Sequence, residues 1–403
     1  MWLTDLRVVL PDRILERGSI RIEGPIITEI IEGNPSRSGL GIAAHGMTAI
    51  PGVIDIHGDM LEREIEPRPG TFFPAEVAVQ QLDKRLAANG ITTAFAAVAL
   101  GDRPDENDNH VRNANRMLEQ IETLQRLRPN LLCDILVHAR VEVTHQSAVQ
   151  VIATLLERSL VNLLSLMDHS PGQGQFRDME RYVRYYSKYY GGDPVQIAAE
   201  AEARIARGDS VWSAAESVAH LARVSGVPLA SHDDDTPEKV AQMIALGASI
   251  SEFPVTLEAA VAARERGLHV AMGAPNVLRG GSHSGNLAAI DGIRSGAVDV
   301  LATDYHPASP VLAAFKLANT QELELFEAVK LISQNAAKSV GLHDRGRLEP
   351  GLRADIALVE DLSVPRVRAT FREGRAIYRD SSRLDAILPA MLEPAQPERA
   401  GVA

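Results

Sequence analysis

Between residues 51 and 343 the chain alternates two textures. Short apolar, β-branched runs are each followed by Ala- and Leu-rich amphipathic stretches. The runs are VIDIHGD, ITTAFAAVAL, CDILVHARVEV, LLSLMDHS, VPLASHDDD, ASISEFP, LHVAMGAPN and VDVLATDY. Eight strands separated by helices predict a closed parallel barrel of the (β/α)8 TIM type, an α/β fold. Several helical patterns, such as AEVAVQQLDKRLAANG, end at Gly, a usual helix stop.

The chain ends read differently. Residues 1–50 and 344–385 alternate apolar with polar positions and place Gly or Pro at turns, which predicts short antiparallel strands. Residues 171–226 are too long for a simple loop and read as an insertion near the barrel mouth. They hold Tyr182, Tyr185, Tyr186, Tyr189 and Tyr190, so this segment either packs an aromatic face down or covers a substrate. Residues 386–403 are rich in Pro, Ala and charge and predict a flexible tail.

Composition narrows the function. A length of 403 residues suits one large barrel with a smaller domain. The net charge of −12 argues against nucleic acid as a partner, but leaves room for an anionic substrate at a locally positive site. The single cysteine, Cys133, rules out an internal disulfide, and its LLCDILV setting reads as buried core rather than nucleophile. No apolar run reaches the ~18 residues of a membrane span, and the N-terminus lacks a signal-peptide pattern, so no membrane contact and a cytoplasmic location are expected. Barrels of this type often pair into homodimers; the sequence itself carries no sign of oligomeric state.

The chemistry gathers at the strand ends. In VIDIHGD, His57 and Asp59 are two positions apart and project together from the strand's C-terminal end, where barrels of this class place their chemistry. In CDILVHARVEV one parity is apolar, and the other carries His138, Arg140 and Glu142. The polar parity should face the lumen. Glu142, nearest the mouth, is the expected ligand, with the deeper His138 and Arg140 as supports or as a buried ion pair. Three further runs end in His169, His232 and Asp304. One such ending is common by chance; the same ending on several strands of one rim is not. Histidines with carboxylates suit zinc or a similar divalent metal, and six ligands suffice for one or two ions. Asp304 is also the expected catalytic carboxylate, taking a proton from the attacking water, although an Asp just after a strand can be a helix cap. At least one of Asp233, Asp234 and Asp235, ahead of a helix, is expected to be a cap, and Glu252 is a secondary ligand candidate.

Longer motifs then match a known family. PGVIDIHGD, HGDMLEREIEPRPG (57–70), SHDDDTPE (231–238), ISEFPVTLEAA (250–260), MGAPNVLRGGSHSGN (272–286) and ATDYHPAS (302–309) resemble the amidohydrolase superfamily. Within it they resemble the branch that hydrolyses α-D-ribose 1-methylphosphonate 5-triphosphate in phosphonate catabolism. The usual superfamily motif has a second histidine where this chain has Asp59, a departure shared by that branch. The resemblance implies a β-sandwich domain built from both chain ends, and a phosphorylated sugar substrate cleaved to release pyrophosphate. Alternatives are a superfamily hydrolase acting on a C–N bond, as in cyclic amide hydrolysis or deamination, or a non-catalytic, metal-stabilised subunit of a phosphonate-processing assembly.

A sugar triphosphate needs cations and amide donors. In NVLRGGSHSGN, Arg279 can grip phosphate through two parallel hydrogen bonds, Gly280 and Gly281 can aim backbone N–H groups at it, and Ser282 and His283 add side-chain donors. Arg68, after the first metal motif, and Lys188, in the insertion, are further substrate-binding candidates. Arg63 and Arg177 read more simply as solvated charges.

Overall fold

The computed structural model describes residues 1–35, 41–44, 46–68, 70–100, 114–143, 146–169, 174, 179–190, 193–205, 208–282 and 285–380. The N-terminal strands are β1 (Trp2–Val9), β2 (Ile14–Glu23), β3 (Ile26–Glu32), β4 (Gly41–Ala43) and β5 (Met47–Pro51). The barrel strands are β6 (Val53–Gly58), β7 (Ile91–Leu100), β8 (Asp134–Glu142), β9 (Leu163–Met167), β10 (Leu229–His232), β11 (Ile250–Glu252), β12 (His269–Gly273) and β13 (Val300–Ala302). The chain returns in β14 (Ile356–Glu360), β15 (Arg366–Arg372) and β16 (Arg375–Arg379).

All eight predicted runs form strands, and β6 to β13 pair in sequence order, each parallel to the next. A bridge between Gly58 and Asp304 closes the ring. Asp55 reinforces the seam: buried, it accepts from the backbone N–H (2.9 Å) and Oγ1 (2.6 Å) of Thr303. The two parities of β8 separate as the sequence predicts. Ile135, Val137, Ala139 and Val141 pack outward among the helices, whereas Leu136 joins Ile54, Ile56, Phe95 and Leu163 in the inner core. Cys133 is buried, as expected of a core residue.

The two chain ends share a second, largely antiparallel sheet, ordered β16-β15-β14-β5-β1-β2-β3 with β4 beside β1. Within residues 171–226 the described parts form helices Met179–Tyr190, Pro194–Ile205 and Gly208–Val224. Tyr182 and Tyr186 are buried, with ring centroids 4.3 Å apart, in a small core with Ile197 and Ala201. Those two rings pack inside the insertion. The predicted tail at 386–403 lies outside the described residues, and no helix among the described residues is long and apolar enough to cross a membrane.

An ion cluster joins the sheet to the base of the barrel. Asp134, at the start of β8, lies 2.8 Å from Arg345, 2.9 Å from Arg353 and 3.5 Å from Arg372. Burial acts to raise its pKa, but Arg353 and Arg372 outweigh burial and hold the carboxyl below its ordinary value. Asp134→Ala should destabilise the fold by about 2–3 kcal/mol, somewhat less than the ~3–5 of a fully buried pair. A folded-state pKa that is depressed stabilises above the unfolded value and loses that contribution as pH falls through the folded one. The difference between wild type and variant should therefore be full at pH 7 and shrink below about pH 4. Urea midpoints at several pH values check this; coincident midpoints at pH 7 would contradict it.

Candidate metal centre

Three barrel strands end with the same local device. Asp233, Phe253 and Asp304, the residues after β10, β11 and a short step beyond β13, have φ of 56°, 52° and 55°. Left-handed backbone is uncommon for residues other than Gly, and it turns a side chain away from the strand's own alternation. Each of the three donates its N–H to the neighbouring strand: Asp233 to Glu252 O (2.9 Å), Phe253 to Ala271 O (2.8 Å) and Asp304 to His57 O (2.9 Å). Asp59 N–H in turn donates to Asp304 O at 2.7 Å. The late Asp and the first metal motif are thus pinned to each other by two backbone hydrogen bonds.

These turns open on a cavity of about 480 Å³ lined by His57, Asp59, Arg140, His169, His232, Asp233 and Asp304, among others. Nε2 of His57 is 3.6 Å from Oδ1 of Asp59. Glu142 is drawn in behind His169, accepting from its backbone N–H (3.2 Å) with its other oxygen 2.8 Å from Nδ1. Oδ2 of Asp233 lies 3.1 Å from Nδ1 of His232 and 3.7 Å from Nε2 of His169. The structure therefore gathers His57, Asp59, His169, His232 and Asp304, far apart in sequence, around one cavity, whereas Glu142 stands behind His169 and does not line it.

The donor set fits a divalent cation. Two imidazoles and a carboxylate, from His169, His232 and Asp233, offer ligand atoms all within 4.8 Å of one another. Oδ2 of Asp233 is buried and makes no hydrogen bond with another described residue, as a cation ligand would require. A second group within that distance is His57, His138 and Glu252, all buried. His138 and Glu252 lie beneath the cavity and do not line it. Glu252 is 3.2 Å from Nδ1 of His57 and accepts from Ser165 Oγ at 2.9 Å. It stands behind a ligand candidate, as carboxylates do in metal sites, and does not face the cavity itself.

The sequence missed Asp233. None of the three aspartates caps the following helix: Thr236 does, accepting from Lys239 N–H at 3.2 Å. Asp234 is buried between Ser231 Oγ (2.5 Å) and Ser251 Oγ (2.6 Å) and ties β10 to β11. Asp235 accepts from Gly174 N–H at 3.1 Å.

Asp304 is a carboxyl poised near neutrality. Burial, and then the nearby charge of Asp59, raise its pKa to about 6 against the pull of His57, Arg140 and Arg63. Its neighbour in sequence, Tyr305, also lines the cavity. Arg279 Nη1 is 3.5 Å from the Tyr305 hydroxyl, and the Arg63 guanidinium lies 5.3 Å from its ring centroid. Arg63, Arg279, Gly281 and Ser282 line the cavity; Arg68 does not, its place being a small bridge with Thr71. Arg63 is the cation that the helix Met60–Ile65 turns toward the site. Nor are the N–H groups of Gly280 and Gly281 aimed at a ligand. Both donate to Asn276 O at 3.1 Å, and Gly280 (φ 80°) closes the helix Ala274–Arg279. His283 and the Lys188 side chain lie outside the described residues.

Comparison with known proteins agrees with this architecture. The chain is 38% identical over 383 residues to the α-D-ribose 1-methylphosphonate 5-triphosphate diphosphatase of Escherichia coli, covering 94% of this chain and all of that one. N-acetyl-D-glucosamine-6-phosphate deacetylase from Mycobacterium smegmatis superposes with a TM-score of 0.64 at 18% identity, over 94% of this chain and 100% of that one. Dihydropyrimidinase from Brevibacillus agri gives 0.57 at 12% identity, over 94% and 95%. These two likenesses are of fold alone. The amidohydrolase family profile spans residues 48–377, and with the full-length relative it establishes that the chain belongs to the amidohydrolase family.

Proposed function

We propose that this chain is a metal-dependent hydrolase that cleaves the triphosphate of α-D-ribose 1-methylphosphonate 5-triphosphate, releasing pyrophosphate and leaving the 5-phosphate. The observation that carries the reading is that one cavity is lined both by metal-capable donors and by Arg63 and Arg279, the two arginines ranged about Tyr305. A neutral amide has little use for these guanidinium groups in the same cavity as the chemistry; a polyphosphate does. The full-length relationship to the Escherichia coli diphosphatase supports the same substrate.

In this reading His57, Asp59, His169, His232 and Asp233 hold the cation, zinc being the ion their nitrogen and oxygen donors suit, with Glu142 behind His169 orienting its ring. When bound, the cation lowers the pKa of water and neutralises charge on the phosphoryl group under attack. Asp304 accepts the proton of the attacking water. Its backbone bonds to His57 and Asp59 fix it to the ligand motif, so base and ligands keep one geometry. Arg63 and Arg279 bind the outer phosphates, which leave as pyrophosphate when the anhydride P–O bond breaks.

Phosphorus NMR of the zinc-loaded protein with the ribose 1-methylphosphonate 5-triphosphate should show pyrophosphate and a monophosphate ester in equal amounts. A panel of cyclic amides and adenine tests the C–N alternative in parallel. Turnover there, with no pyrophosphate, would replace this reading, and a protein inert in both arms would favour the non-catalytic subunit. Arg279→Ala should lose a charge-assisted bond of about 1.5–3 kcal/mol, raising KM about 10–100-fold. Zinc content should stay unchanged; parallel loss of zinc would remove Arg279 from substrate binding and make it a support of the metal donors.

A further inference from the structure

Asp59 and His232 already hold a positive group. Arg140 rises from β8 into the cavity, itself 7% exposed. Its Nη1 donates to Oδ1 of Asp59 at 2.7 Å, and its Nη2 lies 3.1 Å from Nε2 of His232. A guanidinium can only donate, so Nε2 of His232 must present its lone pair to Arg140. The ring proton then sits on Nδ1, 3.1 Å from Oδ2 of Asp233. Nε2 of His57 is 3.6 Å from the same Asp59 oxygen. An imidazole nitrogen and a carboxylate oxygen are donors that a divalent cation takes, and here Nε2 of His232 and Oδ1 of Asp59 are turned to the guanidinium.

We infer that Arg140 is a built-in rival of the divalent cation: its guanidinium and the cation compete for Oδ1 of Asp59 and Nε2 of His232. Arg140 keeps these two donors in register and offsets the crowding of Asp59, Asp233 and Asp304 on the same cavity. Cation binding then requires the guanidinium to let go of both. The inference rests on the metal-hydrolase reading above, but its test is one of binding and stability.

The variants are Arg140→Met, which keeps length and removes charge, and Arg140→Lys, which keeps charge but cannot bridge two donors as a fork. Zinc dissociation constants come from competition with a chromogenic chelator, and melting temperatures from the chelator-treated proteins. Arg140→Met should bind zinc at least about tenfold tighter, the equivalent of one charge-assisted bond no longer to be displaced. Arg140→Lys should also bind more tightly than wild type, and both cation-free variants should melt lower. An Arg140→Met protein that binds zinc no more tightly than wild type would overturn the inference. So would an Arg140→Lys protein with wild-type affinity beside a tighter Met variant, since charge without contact would then explain the gain. If the Met variant does not fold without metal, the Lys comparison decides alone. Absence of pyrophosphate release from the zinc-loaded wild type would sink the hydrolase reading and leave these affinities standing.

Discussion

Asp304→Asn should lower kcat by about 10²–10⁴-fold, the range that a positioned proton acceptor supplies, while zinc content and KM change little. The asparagine keeps the size of the side chain and can keep the backbone bonds to His57 and Asp59. What it removes is a basic oxygen. The carboxyl it replaces has a pKa raised to about 6, first by burial and then by Asp59, which makes it a stronger base than an ordinary aspartate yet still ionised at pH 7. A bound cation draws that pKa down. The wild-type rate should therefore fall on the acid side with a midpoint at or below about pH 6, and the residual rate of the variant should lack that limb. Zinc analysis alongside the pH profile separates the roles. Loss of zinc with loss of rate would make Asp304 chiefly a ligand, and a rate within tenfold of wild type would end its assignment as base.

The barrel was legible because its strands are dense in Val, Ile, Leu and Ala and end in abrupt polar residues. The parity of β8 could be read letter by letter, and it separates in the structure as written. That strand ends should open on one cavity was legible too, since every parallel strand of a barrel ends on the same rim, although Glu142 is drawn behind His169 and does not line it. Four things were not. Asp233 stands in a run of three aspartates, and only its left-handed backbone turns it toward His169 and His232; sequence gives no sign of φ at an Asp. Glu252 ends a strand as the others do, yet sits behind His57 because β11 is only three residues long and Phe253 takes the place at the mouth. The choice between Arg63 and Arg68 depended on the short helix Met60–Ile65, whose turn orients Arg63 and carries Arg68 past the site. A glycine-rich loop likewise looks the same whether its amides face a ligand or, as with Gly280 and Gly281, close a helix.

His169→Ala should strip the site of its cation. The imidazole stands between two carboxylates, with Nδ1 2.8 Å from Glu142 and Nε2 3.7 Å from Asp233. Each pairing raises the charge-holding capacity of the ring, and the ring in turn keeps the two carboxylates from repelling each other. Burial opposes protonation, but Glu142 and Asp233 together push its pKa up to about 10. A divalent ion entering there displaces that proton and satisfies Asp233 directly, which makes binding tighter as pH rises. Removing the ring deletes a donor and leaves Glu142 and Asp233 facing each other. The loss of zinc affinity should exceed the ~10–100-fold that follows removal of a group merely behind a ligand. Stability reports this without any assay of turnover. In wild type, zinc at a hundredfold excess over its Kd should add about 2.7 kcal/mol to unfolding free energy, and in His169→Ala that increment should vanish at the same zinc concentration. The alternative, that Glu142, His169 and Asp233 are only an ion-pair network, predicts the reverse. The variant would then be destabilised with or without zinc, and zinc would stabilise wild type and variant equally.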